Sequence, residues 1–393
     1  MSSKRLRIAI FTDSALPILN GVSVSIDALI RELREQDHSV HLFTAAHFRY
    51  RDPDPNTYRF FAIGTPWTKA YPLAIPPFYP MLHQFRRHEF DLIHTHTPFT
   101  IGFVGLRWAQ SHEIPIVSTY HTLYDKYAHY IPFFPKRYVR YKIAKHTNFY
   151  YNSVDHVITP SQASMKWLRR HSVKRPITVV PTGVSRSQPY DRSEIRARLG
   201  ISPDRRVLLY VGRIAKEKNM TTLFQAVALA FAQDPSLVLW LVGDGPARAQ
   251  CVEMARELGI GDRVRFVGFV PREEVDAYYA VADLFVFASM TETQGLVVSE
   301  AMTYGLPAVV VIGGGAGAAI RHGENGLLVK NDPESMSAAI LRFMSDDGLH
   351  ARFSAEASRS VRGYSSADMA AQVLDVYRQV LGAQSTFAVP AKV

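Results

Sequence analysis

Short apolar runs alternate with amphipathic segments along almost the whole chain, and this alternation predicts its architecture. RIAIFT (7–12) and SVHLFTA (39–45) read as strands, with VSIDALIRELREQ (24–36) between them at the helical repeat. FDLIHTH (90–96), PIVSTYH (115–121) and DHVITPS (155–161) continue the series. Such continuous apolar runs suit parallel strands buried on both faces and joined by helices. The pattern lapses at ITVVPTGVSRSQPYD (177–191), where Pro, Gly and Ser predict a linker. A second cycle opens at RVLLYVGR (206–213) and runs through LVLWLVGDGP (237–246), RVRFVGFV (263–270), DLFVFAS (283–289) and PAVVVIGGG (307–315). The prediction is an α/β chain of two Rossmann-like, doubly wound domains facing a cleft, over residues 1–183 and 184–365. A last helical segment, SADMAAQVLDVYRQVLG (366–382), is expected to pack back across both domains before the tail to residue 393.

Composition changes this picture little. A chain of 393 residues exceeds one ordinary core, which agrees with two domains. Cys251 is the only cysteine, so neither an internal disulfide nor a thiolate zinc cluster can form. No run approaches the roughly 18 apolar residues of a membrane span, and the N-terminal pattern is not that of a signal peptide; a cytoplasmic protein is expected. Charge says more. The net charge is +10, and residues 1–183 carry 23 Lys and Arg against 12 Asp and Glu, whereas the remainder carries 22 against 23. The excess therefore lies in the first half, which predicts that this half meets something anionic, a lipid surface or nucleic acid; a plain solvated basic face is the alternative.

In open α/β sheets, ligands bind where strands end at their carboxyl termini. After the first strand, TDSALPILNGVSVS places Gly21 before a helix, where bare backbone N–H groups can approach an anion. VGRIAKEKN offers Arg213, Lys216 and Lys218 in a strand-to-helix loop, cations suited to a diphosphate. After DLFVFAS comes the turn TETQG and then a helix, so the N–H groups of Gly295, Leu296 and Val297 would face an anion. Glu292 stands at the mouth of that turn, where it can accept from hydroxyls, and Glu300, a turn into the helix, can reach a vicinal diol such as ribose. Two carboxylates beside an anion site fit a sugar nucleotide better than bare phosphate. Val270, in GFV (268–270), could present backbone to a nucleobase. GGGAGAAIRHGENG (313–326) lacks the strand–GxGxxG–helix order of a dinucleotide site, and no GxxxxGK[ST] occurs. HTHTP (94–98) puts two histidines on one strand face without a third ligand in sequence, so no metal site is expected there.

Taken together, these residues resemble the retaining glycosyltransferases of family 4 with the GT-B fold. NGVS, STYHT, TPS, VVPTGV, VGRIAKEKN, LVGDGP, VGFV and ETQGLVVSEAMTYGLPAVV fall in that family's order over about residues 6 to 380, and Glu292 to Glu300 forms its E-x7-E pattern. The resemblance implies that Gly21, Arg213 and Lys218 hold a donor diphosphate. It implies that Glu292 and the following turn, with Thr293 and Gln294, contact the transferred sugar, that Glu300 binds ribose, and that His121 lies beside the sugar at the reaction centre. A front-face reaction with retention is implied, with no cofactor. No DxD pattern is present, so metal is expected to be dispensable. Gln294 stands where Phe is commoner, and Ala318 stands near the place of an expected acidic residue.

The acceptor is expected in the first half. From Lys126 through Val154 there are six Lys or Arg and no Asp or Glu, interleaved with Tyr, Phe and Ile. Arg137, Arg140 and Lys145 recur at near-helical spacing, and with Lys142 they suit an interfacial helix on anionic lipid. PLAIPPFYPMLHQFRRH (72–88) adds a second apolar-then-basic segment. TYHTLYDKYAHYI (119–131) resembles the pattern of bacterial diacylglycerol glucosyltransferases, and Asp13, Asn20, Tyr124 and Tyr130 are placed on this acceptor side. No nucleic-acid module is recognised, so nucleic acid is not expected as a partner. The expectation is a peripheral enzyme of the inner membrane face that moves glucose from UDP-glucose to diacylglycerol. A phosphatidylinositol mannosyltransferase using GDP-mannose, a soluble-acceptor transferase, and a non-enzymatic anionic-surface binder are the alternatives.

Overall fold

The computed structural model describes residues 5–18, 20–47, 50–64, 72–75, 78–126, 134–184 and 190–387. Tyr130 lies outside them. The chain divides into two compact units, Met1–Gly183 with Ser366–Val393, and Val184–Ser365.

The first unit holds β1 (Arg7–Thr12), β2 (Ser39–Ala45), β3 (Thr57–Phe60), the short antiparallel pair β4 (Ala62–Ile63) and β5 (Leu73–Ala74), then β6 (Leu92–Thr95), β7 (Ile116–Thr119), β8 (His156–Thr159) and β9 (Ile177–Val179). Seven of these form a parallel sheet in the order β3-β2-β1-β6-β7-β8-β9. The chain runs outward from β1 to β3, then returns to the other side of β1, so its direction of travel switches between β1 and β6. Every residue of β6, β7 and β8 is buried, as central parallel strands require. Alternation sorts their side chains into two cores. Ile8, Ile10, Leu92, Val117 and Ile158 meet Ile26, Leu29 and Leu33 of helix Gly21–Glu35 and Val373, Leu374 and Tyr377 of the last helix. Phe11, Phe43 and Ile93 face the opposite side, against Phe85, Trp108 and Tyr150. There the Phe11 and Phe43 rings stack with centroids 4.7 Å apart, and Trp108 meets Phe11 edge-on at 5.7 Å.

The second unit repeats the arrangement with β10 (Arg206–Val211), β11 (Leu237–Val242), β12 (Val264–Gly268), β13 (Leu284–Phe287), β14 (Ala308–Val311) and β15 (Gly326–Val329). They form one parallel sheet in the order β12-β11-β10-β13-β14-β15, with the switch between β10 and β13. The fold class expected from the apolar alternation is thus observed, two Rossmann-like halves each with a parallel sheet.

The structure departs from the reading of the sequence in three places. Residues 177–179, read as linker, are the edge strand β9, which pairs with β8. The edge strands β3 and β15 were not anticipated, being only four residues long. The last helix spans Ser366–Phe387, five residues beyond the expected end, and belongs to the first unit, where it packs on helix Gly21–Glu35, β7 and β8.

Candidate active site

In the first unit, polar groups gather at the switch between β1 and β6. Asp13, directly after β1, accepts from Thr97 Oγ1 at 2.5 Å and from the backbone N–H of Ile101 at 3.0 Å, while its own N–H donates to Thr97 Oγ1. Helix Thr100–Ser111 has no cap from its own Phe99, so Asp13 closes its N-terminus from across the sheet. Burial pushes the Asp13 carboxyl above its usual range, and these hydrogen bonds pull partly against that shift. Asn20 has a similar task. Its Oδ1 accepts from the N–H groups of Val22 and Ser23 at the start of helix Gly21–Glu35, and Ser23 completes a capping box. Both side chains, expected on the acceptor or membrane side, are thus occupied as helix caps. Gly21 is exposed at the first position of its helix.

Next to this switch stands a row of imidazoles. His94 and His96 lie at alternate positions, and their rings approach to 4.0 Å. His94 places Nδ1 at 2.7 Å from the Tyr377 hydroxyl and Nε2 at 2.7 Å from Thr119 Oγ1. His96 Nδ1 lies 2.9 Å from Nε2 of His121, which follows β7. Burial holds all three below the usual 6.5, His94 at about 3, His121 at about 4 and His96 well below. Taking an imidazolium out of water is costly, so the row is neutral at neutral pH. Among the described residues no three His, Cys, Asp or Glu side chains are placed to hold a metal ion.

The second unit meets the same topological situation with charges. The loop after β10 contains the 3-10 turn Lys216–Lys218, and Asn219, in the left-handed region at φ 59°, ties it to β13 by donating to the carbonyl of Ala288 at 3.2 Å. This brings Lys218 Nζ onto Glu292 Oε1, which also accepts from Ser289 Oγ at 2.8 Å. Arg213 is exposed on the same loop. Gly295 takes φ 75° as N-cap of helix Leu296–Thr303. The turn is backed by the glycine-rich segment: Gly315 N–H donates to Glu292 O at 2.7 Å, and a Cβ on Gly315 would lie 1.8 Å from the carbonyl oxygen of Thr293. These glycines therefore serve backbone-to-backbone packing beneath Glu292. Gln294 is buried, and Thr293, Leu296 and Val297 are partly so.

Glu300 points into the unit. Its Oε2 accepts from the Tyr279 hydroxyl at 2.9 Å and its Oε1 lies 3.0 Å from Arg272. Burial raises the Glu300 carboxyl, and Arg272 followed by Tyr279 oppose that shift. Both partners sit on helix Arg272–Val281, which begins just beyond the half-buried Val270. Neither was foreseen; the only available signal was their place after the strand end carrying GFV.

Helix Lys136–Asn152 joins β7 to β8 and turns a strongly two-sided surface outward. Val139, Thr147, Tyr150 and Tyr151 are buried. On the opposite side Tyr138, Tyr141, Lys145 and Phe149 follow at helical spacing and are exposed, Tyr141 by 61% and Phe149 by 60%. Arg137 and Lys142 flank them and Arg140 lies further round the helix, all three exposed, and Lys142 Nζ lies 5.5 Å from the Tyr138 ring centre. Tyr124 is half-buried and meets Phe99 edge-on at 5.0 Å.

The pattern described as Glycosyltransferase Family 4 matches residues 19–188, and that described as Glycosyl transferases group 1 matches residues 191–360. The alpha-monoglucosyldiacylglycerol synthase of Streptococcus pneumoniae is 34% identical over 319 residues, 77% of this chain and 70% of that protein. The chain belongs to the family 4 glycosyltransferases of GT-B fold. The synthase of the same name from Acholeplasma laidlawii is 30% identical to this glycosyltransferase over 344 residues, 84% of this chain and 86% of that one. The D-inositol 3-phosphate glycosyltransferase of Corynebacterium glutamicum is 31% identical over 79% of this chain and 78% of its own. In fold, the glycosyltransferase is similar to the sucrose-phosphate synthase of Thermosynechococcus elongatus, at TM-score 0.78 and 24% identity, over 96% of this chain and 100% of that one. Among the described residues no helix is long and apolar enough to cross a membrane.

Proposed function

We propose that this glycosyltransferase moves glucose from UDP-glucose to diacylglycerol, with retention and without a resident metal, while docked peripherally on the cytoplasmic membrane face. The exposed face of helix Lys136–Asn152 carries the lipid part of this reading. Tyr138, Tyr141 and Phe149 can enter the headgroup region while Arg137, Arg140, Lys142 and Lys145 meet anionic phosphates. Two relatives named for monoglucosyldiacylglycerol support the same acceptor and sugar.

For the chemistry, breaking the anomeric bond leaves charge on the departing diphosphate. Arg213, Lys218 and the N-terminus of helix Leu296–Thr303 would stabilise that charge. Lys218 is already held by Glu292. An arriving diphosphate would compete for the Lys218 ammonium and leave Glu292 able to accept from a sugar hydroxyl. Glu300, fixed by Arg272 and Tyr279, keeps carboxylate lone pairs for ribose.

The test is glucosyl transfer to diacylglycerol in vesicles of rising anionic lipid content, with wild type and the triple variant R137S/R140S/K142S. At about 1 kcal/mol for each cation, the variant should lose roughly 3 kcal/mol of membrane attraction, on the order of 100-fold in vesicle affinity. Hydrolysis of UDP-glucose without acceptor should persist. Vesicle binding equal to wild type would remove the support for a lipid acceptor and favour a soluble one.

A further inference from the structure

We propose that His96 is a positioning residue: it donates its Nδ1–H to Nε2 of His121 and so fixes His121 in the tautomer that carries its proton on Nδ1. The two nitrogens are 2.9 Å apart, so one proton lies between them. Two neutral arrangements satisfy that contact. In one, His121 donates and His96 carries its proton on Nε2. In the other, His96 donates from Nδ1 and its Nε2 is bare.

The surroundings of His96 decide between them. The residue is 2% exposed, and its Nε2 is buried with no hydrogen-bond partner. The first arrangement would bury an N–H with nothing to receive it, a state that folded proteins almost never tolerate. The second leaves a bare lone pair there, the cheaper defect. A doubly protonated His96 is opposed by the same burial. His94 cannot take part in the exchange, because both of its nitrogens are engaged, by Tyr377 and Thr119. Its ring, 4.0 Å away, instead walls His96 into place. The hydrogen-bond direction thus passes from the end of β6 to the end of β7 and leaves His121 with its proton on Nδ1, as an Nδ1–H. Such a group donates to a hydroxyl or other oxygen lone pair and cannot remove a proton at that nitrogen. This consequence for the reaction rests on the reading of His121 as the residue beside the transferred sugar.

The experiment uses the full chain labelled with 15N-histidine, with long-range 1H–15N spectra at pH 7.5 and His121 assigned by its loss in H121N. His121 should show its proton on Nδ1 and a bare Nε2; a proton on Nε2 overturns the proposal. No substrate enters this measurement, so it stands apart from the functional reading. In the kinetic arm, H96L removes the donor and H96N returns an amide N–H near the same position. H96L should lower kcat on the order of 10²-fold, as for a lost preorganised contact, with KM for UDP-glucose changed by less than about threefold. H96N should recover most of that loss. A folded H96L with wild-type kcat overturns the positioning role. Absence of glucosyl transfer by the wild type would strike the functional reading alone.

Discussion

The two sheets present the same topological opening and furnish it in opposite ways. Between β1 and β6 the first unit gathers Asp13, Thr97 and the His94–His96–His121 row; Thr97, His94 and His96 are buried, Asp13 and His121 partly so, and the imidazoles are held neutral. Between β10 and β13 the second unit sets charge against charge, Lys218 on Glu292, with Arg272 on Glu300 beside it. A neutral, desolvated row can orient hydroxyls without attracting an anion. A paired but partly exposed set can exchange one partner for a diphosphate or a diol, because each ion loses less when a ligand replaces its protein partner. On the function proposed above, the contrast corresponds to neutral recognition in the first unit and anion recognition in the second.

The comparison breaks most visibly at Lys218. K218A and E292A should each lower kcat/KM for UDP-glucose by about 10²- to 10³-fold, with the fold retained by circular dichroism. Activity near wild type in K218A would mean that the charged set is structural.

A smaller effect is expected at Glu300. Y279F removes a donor to its carboxylate, and R272M removes the opposing charge; either change lets burial raise the carboxyl further. On the proposal that the Glu300 carboxylate holds the donor, the acid limb of 1/KM should move to higher pH in both variants. KM at neutral pH should rise by roughly tenfold, the scale of one hydrogen bond to a charged group. An acid limb unmoved in both variants would separate Glu300 from donor binding.

The mildest perturbation is acid. His94, His96 and His121 are depressed in the folded state, so their contribution is complete above the ordinary 6.5 and is lost as pH falls toward about 4 and 3. Hydrogen exchange, corrected for intrinsic rates, should therefore show protection of residues 92–97 and 116–121 falling between pH 7 and 5. Residues 284–289 should change less. Equal loss in both regions would erase the distinction.

How much of this was legible follows from the range of each signal. β1, β2 and the apolar centres of the other long strands are continuous runs, and their ends could be read directly. β3, β9 and β15 are short edge strands with little pattern of their own, and β9 was hidden by the Pro and Gly that follow it. Glu292, Glu300 and Lys218 were visible as chemistry at strand ends. Their pairings were not, because Lys218 meets Glu292 across 74 residues and Tyr279 meets Glu300 from a different helix. HTHTP showed two histidines on one face, but the third imidazole of the row, His121, follows the neighbouring strand β7, a pairing that only sheet order reveals. The triglycine of 313–315 lacked a nucleotide motif, and its purpose emerged only from the backbone it packs against.

The division of labour is tested most directly by calorimetric titration of UDP, which lacks the sugar, into wild type, K218A and H121A. The account predicts that K218A weakens UDP on the order of 10²-fold, as for loss of a charged phosphate contact, while H121A binds UDP as wild type does yet fails in glucosyl transfer. UDP binding lost in H121A, or kept in K218A, would contradict it.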